Sequence, residues 1–161
     1  MCTYINKGNE GFKSAVKGTY IDKTGMIAVI NQTLDTERRF TCVTRSRRFG
    51  KSMAADMLCA YYDKSCDSRD LFDALAIAND ASYGKYLNKY PVIYLDITTF
   101  VTKYGHDDTL VNHIKEDLTD ELLQTYPDIT KSPKDDVMDI LIKIYDKTHE
   151  KFIMIIDEWD A

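Results

Sequence analysis

The stretch FTCVTRSRRFGKSM, residues 40–53, decides the fold that the sequence predicts. Residues 40–43 are apolar or β-prone and predict a strand, and a helical pattern follows the end of the stretch. Between them, Gly50, Lys51 and Ser52 supply the residue types that a phosphate-binding loop needs. A glycine lets the backbone approach the phosphates, a lysine reaches the β and γ oxygens, and a hydroxyl holds Mg²⁺. The predicted order is therefore strand, phosphate loop and helix.

The loop departs from the usual eight-residue pattern, because Arg45 stands where that pattern has its first glycine. Taken alone, the Gly-Lys-Ser tripeptide is also compatible with a helix start rich in small polar residues. The arginines around it form a local basic patch, and beside the tripeptide this patch predicts phosphate contact. The predicted nucleotide-contacting residues of this stretch are Arg45, Arg47, Arg48, Phe49, Gly50, Lys51, Ser52 and Met53.

A second stretch, FIMIIDE at residues 152–158, predicts a fully buried parallel strand whose C-terminal tip carries two acids. Ligands of open α/β sheets gather at that edge of the sheet. We expect Asp157 to hold Mg²⁺ together with Ser52, and Glu158 to orient the attacking water. Residues 92–97 predict another strand with an acid, Asp96, which ranks second because it lies inside the apolar run and no second carboxylate follows.

The remaining chain reads mainly as helices, among them an amphipathic one over residues 108–126 and one opened by Ser132 and Pro133. Helical crossovers between apolar strands predict an α/β fold, a P-loop NTPase-type three-layer sandwich with a mainly parallel sheet. Only three strands are convincing, and the sequence stops after the acidic tip. We therefore expect residues 1–161 to be the N-terminal portion of such a domain, truncated after the acidic (Walker B) strand, with the C-terminal remainder absent.

Composition limits which partners and which cellular location the sequence predicts for this domain. The 161 residues carry a net charge of −5, which argues against broad nonspecific binding to DNA or membranes. Four cysteines, Cys2, Cys42, Cys59 and Cys66, form no Cys-x-x-Cys pair, so buried free thiols are the better interpretation. The N-terminus has no apolar signal core, and no apolar run reaches membrane-spanning length. We expect a cytoplasmic protein without a membrane partner.

The identity of the base follows from what the sequence lacks. Guanine recognition usually shows as Asn-Lys-x-Asp after a strand, but residues 88–91 read Asn-Lys-Tyr-Pro and precede one. The acidic strand is followed by Trp-Asp and not by the Asp-x-x-Gly of GTPase switches. ATP is therefore the preferred nucleotide. A glutamate directly after the magnesium-binding aspartate favours hydrolysis by an activated water.

Four blocks together resemble the predicted AAA-ATPase-like family: YIDKT (20–24), RSRRFGKS (45–52), YPVIYLD (90–96) and IIDEWD (155–160). The family itself uses arginine at the position of Arg45, whereas Ser46 stands where it usually has proline. From the residues alone, Asp22 and Lys23 are interpreted as a helix cap and an exposed charge, whereas the resemblance implies that they belong to the nucleotide pocket. It also implies a C-terminal PD-(D/E)XK-type nuclease-like domain in many members, through which nucleic acid would be a partner; residues 1–161 contain no match to that nuclease core.

Three functions stay open at this level. The first is a Mg²⁺-dependent ATPase in which Lys51 and Glu158 are catalytic and the arginines supplement phosphate binding or contact a neighbouring subunit. The second is a regulatory module in which nucleotide acts as a switch with little or no hydrolysis, gating a DNA-acting or protein partner. The third is a small-molecule kinase, which the double acid disfavours.

Overall fold

A computed structural model describes residues 4–44 and 50–159. Eight α-helices, one 3₁₀ helix and two strands occur within these residues. In chain order they are α1 (Glu10–Val16), α2 (Gly25–Asn31), α3 (Lys51–Tyr62), α4 (Arg69–Phe72), the 3₁₀ helix (Ala76–Asn79), α5 (Tyr83–Tyr86), β1 (Val92–Asp96), α6 (Ile97–Tyr104), α7 (Leu110–Thr125), α8 (Val137–Thr148) and β2 (Ile153–Asp157).

The two strands pair in parallel, with Val92 opposite Ile153 and Asp96 opposite Asp157, so both aspartates stand at the same edge of the sheet. Next to β1, Ile5 forms an antiparallel bridge to Ile93. The parallel pairing and both strands confirm the prediction from residues 92–97 and 152–158. The result is a mixed α/β fold with a small parallel sheet, compatible with part of a P-loop fold.

Two hydrophobic clusters lie on opposite faces of this sheet, because successive side chains of a strand point to opposite sides. Val92 and Tyr94 of β1 belong to the first cluster, and Ile93 and Leu95 belong to the second. Helices α1 and α3 supply the first cluster, whereas α7 and α8 supply the second. Their largest buried side chains include Phe12, Met57, Tyr61, Tyr62 and Phe72 in the first and Phe100, Leu122 and Ile140 in the second.

Strand β2 is buried on one face only, so the prediction of a fully buried strand is wrong. Ile155 and Asp157 are buried, whereas Met154 and Ile156 are 47% and 49% exposed. Apolarity alone does not bury a residue, because a neighbouring layer must cover it. Within residues 4–44 and 50–159, the second cluster buries Ile93 and Leu95 of β1, but it does not cover Met154 and Ile156 of β2 on the same face of the sheet.

The predicted strand at residues 40–43 is also wrong in this structure. Residues 40–44 are not assigned to any strand, and Phe40 is 85% exposed. Residues 40–43 do have high β-propensity, but a strand is stabilised by its cross-strand neighbours and not by propensity alone. Helix α3 after the loop is confirmed.

Helix α8 begins at Val137, not at the predicted Ser132 and Pro133. The side chain of Asp136 accepts hydrogen bonds from the backbone of Met138 at 2.8 Å and of Asp139 at 3.1 Å. The Asp139 carboxylate in turn accepts from the Asp136 N–H at 2.9 Å. This reciprocal capping box satisfies three backbone N–H groups at the helix start, which a proline at the first position does not do. The amphipathic helix predicted over residues 108–126 is confirmed as α7.

Candidate functional site

The backbone conformation at the start of α3 favours glycine at position 50. Gly50 is left-handed, with φ 74° and ψ 38°, directly before the first helical residue, Lys51. Glycine alone adopts this conformation without steric cost. Nζ of Lys23 lies beside Gly50, 3.0 Å from the point where a Cβ would stand. The helix that follows has 12 residues. The first N–H groups of an α-helix have no acceptor within the helix and form the positive end of its dipole.

A cavity of about 410 Å³ opens beside this helix start. That volume lies within the range of about 300–1,000 Å³ that small-molecule sites occupy. Two lysines supply positive charge, while methionine and valine side chains supply an apolar wall. A ligand with an anionic part and a flat apolar part matches this division. The lining residues are Asp22, Lys23, Gly25, Met26, Val29, Val43, Gly50, Lys51 and Ala54.

A second cavity, of about 290 Å³, lies between α7 and the residues that lead into α8. Its lining mixes charges of both signs, with Lys115 and Lys131 opposite Glu116 and Asp135. It is smaller, and it contains no residue that the sequence patterns single out. The cavity beside α3 is therefore the better candidate site.

The turn before α2 is held firmly against the 3₁₀ helix. Asp22 Oδ1 accepts hydrogen bonds from the N–H of Thr24 at 2.8 Å and from its hydroxyl at 2.7 Å. Asp22 Oδ2 accepts from the Ala76 N–H at 2.7 Å, and the buried Thr24 hydroxyl accepts from the Ile77 N–H at 3.1 Å. Burial raises the pKa of Asp22, but the hydrogen bonds from Thr24 and Ala76 outweigh it, and the net pKa is lowered. Asp22 thus keeps its charge and fixes the turn.

The acidic tip of β2 has a constrained geometry. Asp157 is buried, at 7% exposure, and its Oδ1 accepts a hydrogen bond from the Glu158 N–H at 3.0 Å. Its Oδ2 lies 3.4 Å from the Tyr94 hydroxyl, which donates to it. Glu158 has φ 51°, a left-handed conformation that costs a non-glycine residue about 1–3 kcal/mol and occurs preferentially at functional sites.

Tyr94 is a site neighbour that the sequence patterns did not reveal. Burial raises the pKa of its hydroxyl, and the negative charge of Asp157 raises it further, so the group stays protonated and able to donate. In sequence, Tyr94 reads only as one more β-prone residue of β1. Met26 and Val29 of the cavity wall likewise show in sequence only as apolar residues at helical spacing.

The structure brings some of the predicted site residues together and not others. Asp22, Gly50 and Lys51 line the same cavity, whereas Asp157 and Glu158 are absent from its lining. Helix α3 nevertheless packs against β2, so the two parts of the predicted site belong to adjacent elements. Ser52 is exposed and Met53 is half-buried in the first turn of α3. Arg45, Arg47, Arg48 and Phe49 lie outside the described residues.

Helix α3 and strand β2 both carry side-chain oxygens of the kind that bind Mg²⁺. In the part of the chain that the structure describes, no three His, Cys, Asp or Glu residues gather into a metal cage. Mg²⁺ does not require one, because it usually takes one or two carboxylates together with substrate phosphates and water. The Ser52 hydroxyl and the Asp157 carboxylate are oxygen ligands of the type that this ion prefers.

Comparison with known proteins gives one match. A family model described as predicted AAA-ATPase matches residues 11–161, which is most of the chain, and the chain therefore belongs to this family. The resemblance carried by the four sequence blocks is thus confirmed, and membership supports a nucleotide ligand. Neither the curated proteins nor the solved structures include a match. Over residues 4–44 and 50–159, no helix has the length and apolarity to cross a membrane.

Proposed function

We propose that this chain binds ATP together with Mg²⁺ and that the protein hydrolyses it to ADP and phosphate. The observation that carries the proposal is the cavity beside α3, where Gly50 and Lys51 adjoin an apolar wall from α2. The basic end of such a cavity suits a polyphosphate, and the apolar wall suits a base. Membership in the predicted AAA-ATPase family supports the same ligand.

Each residue at the basic end has a distinct role in this proposal. Lys51 neutralises the charge of the β and γ phosphates, and the backbone amides after Gly50 donate hydrogen bonds to their oxygens. Arg45, Arg47 and Arg48 add positive charge to the loop. Met26, Val29 and Val43 pack against the base, while Asp22 stabilises the turn that closes this side.

Ser52 and Asp157 would hold the magnesium ion. When bound, this ion neutralises charge on the phosphates and helps to align them for in-line attack. Asp157 is oriented for this role by the Glu158 N–H and the Tyr94 hydroxyl. Glu158 accepts a hydrogen bond from the attacking water and draws its proton away. We further propose that the sheet is the middle layer of a P-loop NTPase three-layer sandwich. The hydrophobic clusters on its two faces support this proposal.

A second candidate function is a nucleotide-dependent regulatory module with little hydrolysis. The observation in its favour is that Asp157 and Glu158 are absent from the lining of the cavity that contains Lys51. In such a module, ATP would bind beside α3 and bias a contact with a DNA-acting or protein partner. Hydrolysis would then require the acidic tip of β2 to approach the phosphates.

Calorimetric titration of ATP and Mg²⁺ tests the binding proposal. We expect wild-type protein to bind, and Lys51→Ala to weaken binding at least about tenfold, because a charge-assisted contact contributes roughly 1.5–3 kcal/mol. Lys134→Ala, which removes an exposed lysine before α8, is the matched control and should bind as wild type does. Unchanged affinity in the folded Lys51→Ala variant would refute the proposal.

Glu158→Gln separates the two candidate functions. If the protein is an ATPase, this variant should keep ATP affinity and lose turnover by about 10²–10⁴-fold, the usual contribution of a general base. Phosphate release is measured for both proteins at saturating ATP. Equal turnover in wild type and variant would remove Glu158 from the mechanism, and binding without turnover in both would favour the regulatory module.

A further inference from the structure

We propose that Lys23 is a second phosphate-binding cation of this site, and that Asp22 serves the nucleotide only by holding the turn that carries Lys23. This inference rests on the proposed function, because it concerns the polyphosphate of the same nucleotide. The sequence resemblance implies a place in the nucleotide pocket for both Asp22 and Lys23 and does not distinguish their roles.

The position of the Lys23 ammonium is the first argument. Its Nζ lies 3.0 Å from the point where a Cβ on Gly50 would stand, so it sits against the glycine that directly precedes Lys51. Lys23 and Lys51 line the same cavity. An anion bound by the amides at the start of α3 would therefore share the cavity with two lysine side chains. Charge-assisted hydrogen bonds of this kind are about twice as strong as neutral ones.

The rigidity of the turn is the second argument. The Lys23 N–H donates to the Tyr20 hydroxyl at 3.3 Å, and the next residue, Thr24, is fully buried and bonded to the 3₁₀ helix. The backbone on both sides of Lys23 is thus fixed, while Lys23 itself is exposed. Because little backbone ordering remains, binding an anion costs less conformational entropy than it would on a loose loop.

The geometry of Asp22 is the third argument. Both of its carboxylate oxygens already accept hydrogen bonds, from Thr24 and from Ala76, which hold the group toward the 3₁₀ helix. A carboxylate placed against a polyphosphate would also repel it. Asp22 is therefore a positioning residue, and Lys23 is the group of this turn that faces the anion.

Substitution of Lys23 tests the inference by comparing a ligand that carries phosphates, ATP, with one that does not, adenosine. Dissociation constants of ATP and adenosine are measured by competition with a fluorescent ATP analogue, at several salt concentrations. Lys23→Met should weaken ATP binding at least about tenfold. It should leave adenosine unchanged and flatten the salt dependence of ATP affinity. Lys23→Arg should retain most of the affinity, and Lys17→Met, an exposed lysine just before the turn, should match wild type.

The other outcomes decide against the inference in distinguishable ways. If Lys51→Ala abolishes ATP binding but Lys23→Met does not, the inference fails and the proposed function stands. If wild-type protein binds no ATP, both fail. Equal losses for ATP and adenosine would show that Lys23→Met distorts the cavity. Asp22→Asn should lower thermal stability and weaken ATP binding less than Lys23→Met; a larger loss of affinity without loss of stability would make Asp22 the nucleotide contact.

Discussion

Strands β1 and β2 have five residues each, run in parallel and end in aspartates at the same register, yet the protein uses them differently. The first four residues of β1 are buried, so side chains on both of its faces contribute to the cores. Strand β2 is buried on one face and open on the other. The two aspartates differ in the same way, because Asp96 is half-buried and Asp157 is buried.

The difference between the aspartates lies in their partners. Asp96 caps α6, accepting hydrogen bonds from the Thr98 N–H at 3.0 Å and the Thr99 hydroxyl at 3.1 Å. Asp157 precedes no described helix and is held by Glu158 and Tyr94. An apolar run that ends in an acid therefore indicates the end of a strand at the edge of the sheet. The residues that follow decide whether the acid caps a helix or stays available to bind a ligand.

The largest expected effect concerns the two strand faces. Ile93→Ala in β1 should lower the free energy of unfolding by about 2–5 kcal/mol, because it leaves a cavity in a fully buried cluster. Ile156→Ala in β2 should cost less than about 1 kcal/mol, because its side chain is already half exposed. Urea unfolding followed by circular dichroism measures both. Equal losses would mean that the open face of β2 is covered in solution.

The second effect concerns the two acids. Asp157→Asn should weaken Mg²⁺-dependent ATP binding at least about tenfold, equivalent to about 1.4 kcal/mol. Asp96→Asn should leave that affinity unchanged, because Asn preserves the cap of α6 and the proposed magnesium site does not include Asp96. Titrations with Mg²⁺ and with EDTA isolate the metal-dependent part. A larger loss in Asp96→Asn would exchange the roles of the two strands.

The third effect is the capping contribution of Asp96. Asp96→Ala should lower the free energy of unfolding by about 1 kcal/mol, whereas Asp96→Asn should be nearly neutral, because Asn is an equally good N-cap residue. Thermal or urea unfolding of the two variants checks this. If both cost the same, the charge of Asp96, and not its hydrogen bonds, would be what stabilises α6.

The smallest effect is a pH dependence of the free energy of unfolding that arises from Asp22. Unlike Asp96 and Asp157, this aspartate stabilises a turn and does not lie at the end of a strand. Its pKa is lower in the folded protein than its ordinary value, because accepted hydrogen bonds outweigh the burial that raises it. The unfolded chain therefore binds the proton first, and the stabilisation is present above about pH 4 and lost as the pH falls through the folded-state pKa. The stability difference between wild type and Asp22→Asn should shrink below about pH 4. A constant difference would contradict this linkage.

Much of the fold was predictable where the signal is local. The helical periodicity of α7 and the apolar runs of β1 and β2 each lie within a short stretch, and the helix and both strands are confirmed. The start of α8 was missed because the capping box of Asp136 and Asp139 competed with the proline signal. The strand prediction for residues 40–43 was wrong because strand formation depends on a neighbouring strand, which the local sequence does not reveal.

The sequence by itself determined the two acid-tipped strands and the family, because these depend on residue types at short spacing. For the same reason it predicts Gly50 and Lys51 as phosphate-loop residues. Only the tertiary structure decided that Lys23 lies against Gly50 and that Tyr94 donates to Asp157 across 63 residues of chain. The physical reason is that such contacts arise where the turn before α2 meets the start of α3 and where β1 pairs with β2. A sequence pattern records which groups are available, and packing selects which of them meet.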